Sequence, residues 1–190
     1  MTLIRPRSVS TPRPRVSDRF QSFREALAQT GVESSDFDLN PEVTLPEGRS
    51  LRPAGVLAPV VDTGTRLELI LTKRSSALKH HPGQIAFPGG KQDGGDADVI
   101  AAALREAREE IGLPSDIVDV LGVLPAHETV TGFSVTPVIG YVTRDFTVVP
   151  EPGEVEEVFR VPLDHVLNPS NYLVHSRRWR GQRRYYYAVP

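Results

Sequence analysis

Cysteine is absent from the 190 residues, which excludes disulfides and thiolate metal sites and fits a reducing, cytoplasmic setting. Long apolar runs are missing as well. None approaches the roughly 20 residues needed to cross a bilayer, and no secretory apolar segment follows Met1. Neither sign of charge is in excess: 22 Lys and Arg against 24 Asp and Glu leave a net charge of -2. No overall field therefore favours nucleic acid or membrane, and neither is expected as a partner. Helix breakers are abundant instead, and 17 prolines with 15 glycines argue against an all-helical fold. With 39% hydrophobic residues the chain is long enough to bury one core and carry a tail.

Residues 1–16 hold Arg5, Arg7, Arg13 and Arg15 and no acid, and are expected to form a flexible basic arm. Its three prolines spoil the amphipathic helix that a transit peptide needs. Residues 17–53 read as a helix followed by loop. Ser17 is placed to cap that helix, Phe20, Phe23 and Leu27 share one face, and Gly31 ends it. Such a helix packs on the outside of the domain or on a second subunit, so a homodimer is one expectation. Residues 54–190 read as one domain. Strands are expected over 55–61 and 67–72, then 118–124, 135–142 and 157–161, with a helical turn over 164–167. A hairpin of 172–176 and 183–189 turns at Trp179-Arg180-Gly181-Gln182. Strands with a few helices imply an α/β sandwich around a mixed sheet.

The centre of the chain is 87–113, FPGGKQDGGDADVIAAALREAREEIGL. A glycine-rich turn at Gly89-Gly90 leads through an acidic loop into a helix over residues 99–111, which has good helix formers and no internal Gly or Pro. At roughly 100° per residue, Ile100, Leu104, Ala107 and Ile111 form an apolar stripe, with Glu106, Glu109 and Glu110 roughly opposite. Glu106 and Glu110 are one turn apart and repel by a few tenths of a kcal/mol. Glutamate pairs on helices are also commonplace as solvated faces. Three converging oxygen donors beside a glycine turn are what Mg²⁺ or Mn²⁺ requires.

Arg105-Glu106-Ala107-Arg108-Glu109-Glu110-Ile111-Gly112-Leu113, preceded by Gly90 and Asp96, resembles the box of Nudix hydrolases. Asp96 stands where the family's first glutamate is usual, and the eight residues between it and Arg105 are one more than usual. In the family that first acid supports the helix arginine rather than the chemistry. The resemblance implies a Nudix-type α/β/α sandwich with a mixed sheet and a central catalytic helix. It also implies a metal held by Glu106, Glu109, Glu110 and the Gly90 carbonyl, with Arg105 orienting the carboxylates. The general base is then Glu109 or a glutamate on a distant loop, for which Glu157, with Glu154 and Glu156 beside it, is the candidate. The same three acids read equally as a solvated strand start.

Upstream, Leu71-Thr72-Lys73-Arg74-Ser75, Lys79, His81-Pro82-Gly83-Gln84 and Phe87-Pro88-Gly89-Gly90 resemble the signature of coenzyme A diphosphatases within that family, with Lys79 in place of an arginine. The longer box spacing is associated with the same subgroup. This implies cleavage of coenzyme A or acyl-coenzyme A to 3′,5′-ADP and 4′-phosphopantetheine, with Arg74, Lys79 and His81 binding substrate. The alternatives are another nucleoside diphosphate derivative as substrate, or a Nudix-like binding module without catalysis. His80 and His81 also read as ordinary loop histidines. The arginines of residues 177–184 form a second basic patch, either a site for the 3′-phosphate of coenzyme A or a solvated hairpin tip. Relatives continue from the last hairpin into a closing helix, whereas this sequence stops at Pro190. An apolar face left without that helix is expected to be exposed and self-associating.

Overall fold

The computed structural model describes residues 16–29, 31–43, 48–79, 81–179 and 181–190. Residues 1–15 of the expected basic arm over 1–16, with His80 and Arg180, lie outside them, and Val16 opens α1.

The order of elements is α1 (Val16–Ala28), β1 (Ser34–Ser35), β2 (Arg52–Asp62), β3 (Leu67–Arg74), β4 (Ile85–Ala86), β5 (Gly89–Lys91), α2 (Val99–Ile111), β6 (Val118–Val123), β7 (His127–Glu128), β8 (Phe133–Val142), β9 (Val155–Pro162), α3 (Leu163–Leu167), β10 (Leu173–Trp179) and β11 (Gln182–Ala188). Nine strands form one mixed sheet centred on β2. That strand runs parallel to β8, with Leu57 opposite Val138, and antiparallel to β3, with Val60 opposite Leu69. Its first half also pairs with β5, which sets Gly55 opposite Gly90. β9 extends the sheet beyond β3, with a shift of register at Lys73 and Arg74.

Alternation along β2 divides the interior into two cores. Leu57 and Val61 join Ile70, Val138 and the Ala103, Ala107 and Ile111 stripe of α2 on one face. Ala58 and Val60 join Leu69, Ile139, Leu163 and Phe20 on the other. The α/β/α sandwich follows from helices covering both faces of a sheet whose central strand is apolar on both sides. α1 rests on its own sheet, with the Phe20 ring 4.0 Å from that of Tyr141. It begins by Val16, which puts Ser17 inside the helix rather than at its cap; the Ser17 side chain lies outside the described residues.

The stretch expected to be plain loop, residues 32–53, contains β1, which pairs in parallel with β7. Two-residue strands carry too little periodicity to be read from sequence. Among the described residues β10 and β11 pair only with each other, from Leu173 opposite Ala188 to Trp179 opposite Gln182. Asn40, 2% exposed, fastens this hairpin to the domain: its amide donates to the Tyr185 carbonyl at 3.0 Å and accepts from the Tyr185 N–H at 2.9 Å. Leu173, Val174 and Tyr187 are exposed on it.

Candidate functional site

α2 starts and stops where its own sequence dictates. Asp98 accepts from the Ala101 N–H at 2.8 Å as N-cap. Gly112 ends the helix at φ 71°, in the left-handed region that favours glycine, with its N–H on the Arg108 carbonyl at 3.0 Å. Gly55 lets the first turn lie against β2, since a Cβ there would meet the Val99 carbonyl oxygen at 2.0 Å.

Glu110 is not opposite the buried side of the helix. Ala102, Ala103, Ala107, Ile111 and Glu110 are buried, while Ile100 and Leu104 flank the core only partly covered. Seven residues separate Ala103 from Glu110, and seven residues of α-helix return to within about 20° of the starting direction. Glu110 therefore points where Ala103 points. Glu106 lies between the buried edge and the loop, with its side chain 18% exposed, whereas that of Glu109 is 51% exposed. The expected convergence of three carboxylates is corrected to two.

Those two meet the glycine turn. The Gly89 N–H donates to Glu110 Oε2 at 3.1 Å. A Cβ on Gly90 would lie 2.5 Å from Glu106 Oε1, so the missing side chain is the space the carboxylate occupies. Burial raises the Glu106 pKa, against the opposing effect of Arg105, and the charges of Glu109 and Glu154 add to it. Burial likewise pushes Glu110 up to about 7; the Gly89 N–H and Arg74 oppose this, and Glu106 and Glu154 reinforce it. Two desolvated, mutually repelling carboxylates are electrostatically unfinished, and a divalent cation would complete them.

Arg105 organises the exposed side of the site. Its Nε and Nη2 donate to the two oxygens of Asp96 at 3.0 Å each, a bidentate pair. Its Nη1 reaches Glu106 Oε1 and Glu109 Oε2, both at 3.0 Å, and Nη2 also donates to the Lys91 carbonyl at 3.2 Å. The hydrogen bonds from Arg105 hold the Asp96 carboxyl below the usual range. Asp96 thus stands against Arg105 despite the longer loop, and Glu109 is drawn to the arginine, away from the turn.

Of the distant glutamates, Glu154 is the one whose charge reaches Glu106 and Glu110. Glu156 is taken up by Lys73 Nζ at 2.6 Å and the Ser76 N–H at 3.2 Å. Glu157 lies opposite Lys73 in the β3–β9 ladder, and Lys73 is the group it acts on. The β3–β9 register shifts between Lys73 and Arg74, beside this cluster.

Arg74 stands on the other side of Glu110, Nη1 to Oε1 4.0 Å, and its buried Nε has no hydrogen-bond partner among the described residues. The loop after β3 folds back on it, for the Arg74 N–H donates to the Gln84 carbonyl at 2.9 Å and the Gly83 N–H to the Arg74 carbonyl at 3.1 Å. Within that loop His81 adopts φ 53°, unusual for a residue with a side chain. Arg74, His81 and Gln84 line a cavity of about 320 Å³ together with Asp36, Thr129 and Thr131. Lys79 is exposed on the same loop, and no salt bridge engages it among the described residues. Asp36 and Thr129 had no motif to reveal them.

Among the described residues, no three His, Cys, Asp or Glu side chains come close enough to hold a metal by themselves. The donors present still fit a hard cation, because Mg²⁺ commonly takes one or two carboxylates and completes its shell with water and substrate phosphate. Glu106 and Glu110 are the pair at the glycine turn that could serve as those carboxylates.

A family model described as the NUDIX domain matches residues 51–180. The chain is 49% identical over 121 residues to the uncharacterized Nudix hydrolase NudL of Enterobacter sp. (strain 638), covering 64% of this chain and 62% of that relative. It is 41% identical over 152 residues to the uncharacterized Nudix hydrolase NudL of Pectobacterium atrosepticum, covering 77% and 78%. The chain thus spans less than two thirds of the length of the Enterobacter relative. Among solved structures, a Nudix hydrolase from M. smegmatis, RenU, superposes with a TM-score of 0.52 at 26% identity, covering 63% of this chain and 78% of that one. The C. elegans Ap4A hydrolase, at TM-score 0.51 and 20% identity over 62% and 84%, shares the fold.

Proposed function

The chain belongs to the Nudix hydrolase family, and from that premise we propose that it hydrolyses the diphosphate bond of a nucleoside diphosphate derivative, with coenzyme A or acyl-coenzyme A as the substrate. The observation that carries this reading is Arg74. A guanidinium with a buried, unpartnered Nε beside two crowded carboxylates has donors to spare for a phosphate, and arginine suits bidentate contacts with phosphate oxygens. The coenzyme A assignment rests on the signature that contains Arg74, Lys79 and His81.

Mg²⁺ or Mn²⁺ held by Glu106 and Glu110, with the Gly90 backbone alongside, would neutralise phosphate oxygens and lower the pKa of a bound water. The chain supplies the rest. Arg105, itself held by Asp96, orients Glu106 from outside the turn. Arg74 holds the diphosphate, with Lys79 and His81 on the loop around it. Of the distant glutamates Glu154, whose charge adds to the raised pKa of both Glu106 and Glu110, takes the proton from the attacking water in this reading, while Glu109, bound to Arg105, acts as a positioning residue. Water attacks phosphorus, the bridging oxygen leaves with the second phosphate, and no covalent intermediate is needed.

Separation of products after incubation with coenzyme A, ADP-ribose or dGTP, each with Mg²⁺ or Mn²⁺, tests the proposal. Coenzyme A should yield 3′,5′-ADP and 4′-phosphopantetheine, and Glu110→Gln should lower kcat by at least about 100-fold without loss of fold. Unchanged turnover in that variant removes the metal assignment. Rapid cleavage of ADP-ribose or dGTP with coenzyme A untouched moves the substrate to another nucleotide derivative, and binding without turnover of any of the three marks a non-catalytic module.

A further inference from the structure

Arg74 shares its cavity with a charge of the opposite sign. Asp36, directly after β1, lines the same space and is held at every polar atom. Its N–H donates to the Glu128 carbonyl at 2.9 Å, and its carbonyl accepts from the Asn40 amide at 2.9 Å. The Val130 N–H donates to Oδ2 at 2.8 Å, and His127 Nε2 lies 3.2 Å from Oδ1. An ionised carboxylate only accepts, so Nε2 is a protonated ring nitrogen, and Nδ1 meets the Ser34 hydroxyl at 2.8 Å.

Burial opposes ionisation of Asp36, yet the hydrogen bonds from His127 and the Val130 N–H, with the charges of His127 and Arg177, hold its carboxyl below the usual range. The group is an anion at neutral pH. A carboxylate has about four acceptor sites, and protein donors take two of them. The side chain remains 43% exposed, so a ligand can reach the others. No salt bridge joins Asp36 to Arg74 among the described residues, which leaves both charges available to a ligand.

A cavity of about 320 Å³ is at the small end of ligand pockets, roughly 300–1,000 Å³, and suits one half of a diphosphate-linked molecule. Its two fixed charges then discriminate. Phosphate goes to the guanidinium, and the carboxylate accepts from a hydroxyl or amide N–H further along the ligand. Thr129, Thr131 and Gln84 add neutral polar groups. A further phosphate brought to Asp36 would meet a like charge and be rejected.

We infer that Asp36 is a specificity-determining residue that admits to the Arg74 cavity the half of the substrate bearing hydroxyl or amide donors and no phosphate beyond the diphosphate. For coenzyme A that half is pantetheine, and the adenosine carrying the 3′-phosphate lies outside the cavity. The inference rests on the diphosphatase reading above, which it deepens by fixing the direction of the substrate. His127 is a positioning residue for Asp36, and nothing is transferred at either.

Titration calorimetry of 4′-phosphopantetheine and of adenosine 3′,5′-bisphosphate, each with Mg²⁺, reads the two halves without turnover. Asp36→Asn removes the charge at nearly constant size. It should weaken 4′-phosphopantetheine about tenfold or more, the worth of a hydrogen bond to a charged acceptor. Affinity for the bisphosphate should stay unchanged, which also shows that the variant is folded. No binding of 4′-phosphopantetheine by the wild type, no change in either affinity, or a bisphosphate that binds tighter to the variant overturns the inference. If the variant loses both ligands, hydrogen exchange in the wild type decides. There 4′-phosphopantetheine should slow exchange of the 129–133 amides and the bisphosphate should not; any other pattern overturns the inference. Affinity for 4′-phosphopantetheine that depends on Asp36, without cleavage of coenzyme A, overturns the diphosphatase reading and leaves this inference standing. Cleavage of coenzyme A with an affinity indifferent to Asp36 does the reverse.

Discussion

Glu110 is 5% exposed, lies one helical turn from another carboxylate and titrates near 7 instead of at the ordinary 4.5. Its folded pKa lies above its unfolded value, so the folded protein holds that proton more tightly. This group's contribution is complete below pH 4.5 and is lost as pH rises through 7, so metal-free stability should fall across that window. The loss is on the order of 3 kcal/mol for a shift of this size. Denaturation midpoints in EDTA between pH 4.5 and 8 should show the decline in the wild type and a much flatter profile in Glu110→Gln. Saturating Mg²⁺ should restore stability most above pH 7, where the carboxylate is bare. Identical slopes in wild type and variant would contradict the burial that places Glu110 at the turn.

On the scale of elements, α2 is positioned by what its neighbours lack. Its cap is an ordinary one, and Asp98→Ala should cost about 1 kcal/mol, read as a fall in Tm of about 2–4 °C. Gly55→Ala should cost more, about 1–3 kcal/mol, because the new Cβ meets the Val99 carbonyl, a backbone atom that cannot turn aside. A Gly55 variant as stable as the Asp98 variant would mean that helix and sheet do not touch as closely as described. The extent of the helix, residues 99–111, was legible from its helix formers and its lack of internal Gly and Pro, since propensity is local chemistry. The rotation of the helix was not. Burial of Glu110 in place of Leu104 depends on Gly89 and Gly90 arriving from β5, across the sheet from their place in sequence order.

For the molecule as a whole, the fold joins three segments distant in sequence: the loop after β3 and the 36–40 loop line one cavity, and Asn40 of the latter holds the last hairpin. Asn40 is the joint. Asn40→Ala removes the side-chain partners of both Tyr185 backbone groups, with a cost of about 1–3 kcal/mol for groups left unsatisfied. Hydrogen exchange should show the Tyr185 amide losing protection while the amides of α2 keep theirs. Loss of protection throughout would mean that the hairpin is integral to the core; none at all would mean that Asn40 does not hold it.

The main strands and the central helix could be read from residue order because each is governed by a short-range rule. Apolar runs separated by turns marked most of β2, β3, β8 and β9; good helix formers with no internal Gly or Pro marked 99–111; like charges one turn apart marked Glu106 and Glu110. The tertiary structure alone decided which side of α2 is buried, that Gly89 and Gly90 meet Glu110 and Glu106, that Asp36 lines a cavity with Arg74, and that Asn40 holds the last hairpin. Those are choices of register and orientation between segments far apart in the chain, and they are set by the space that glycines leave and by the paired hydrogen bonds of one buried asparagine.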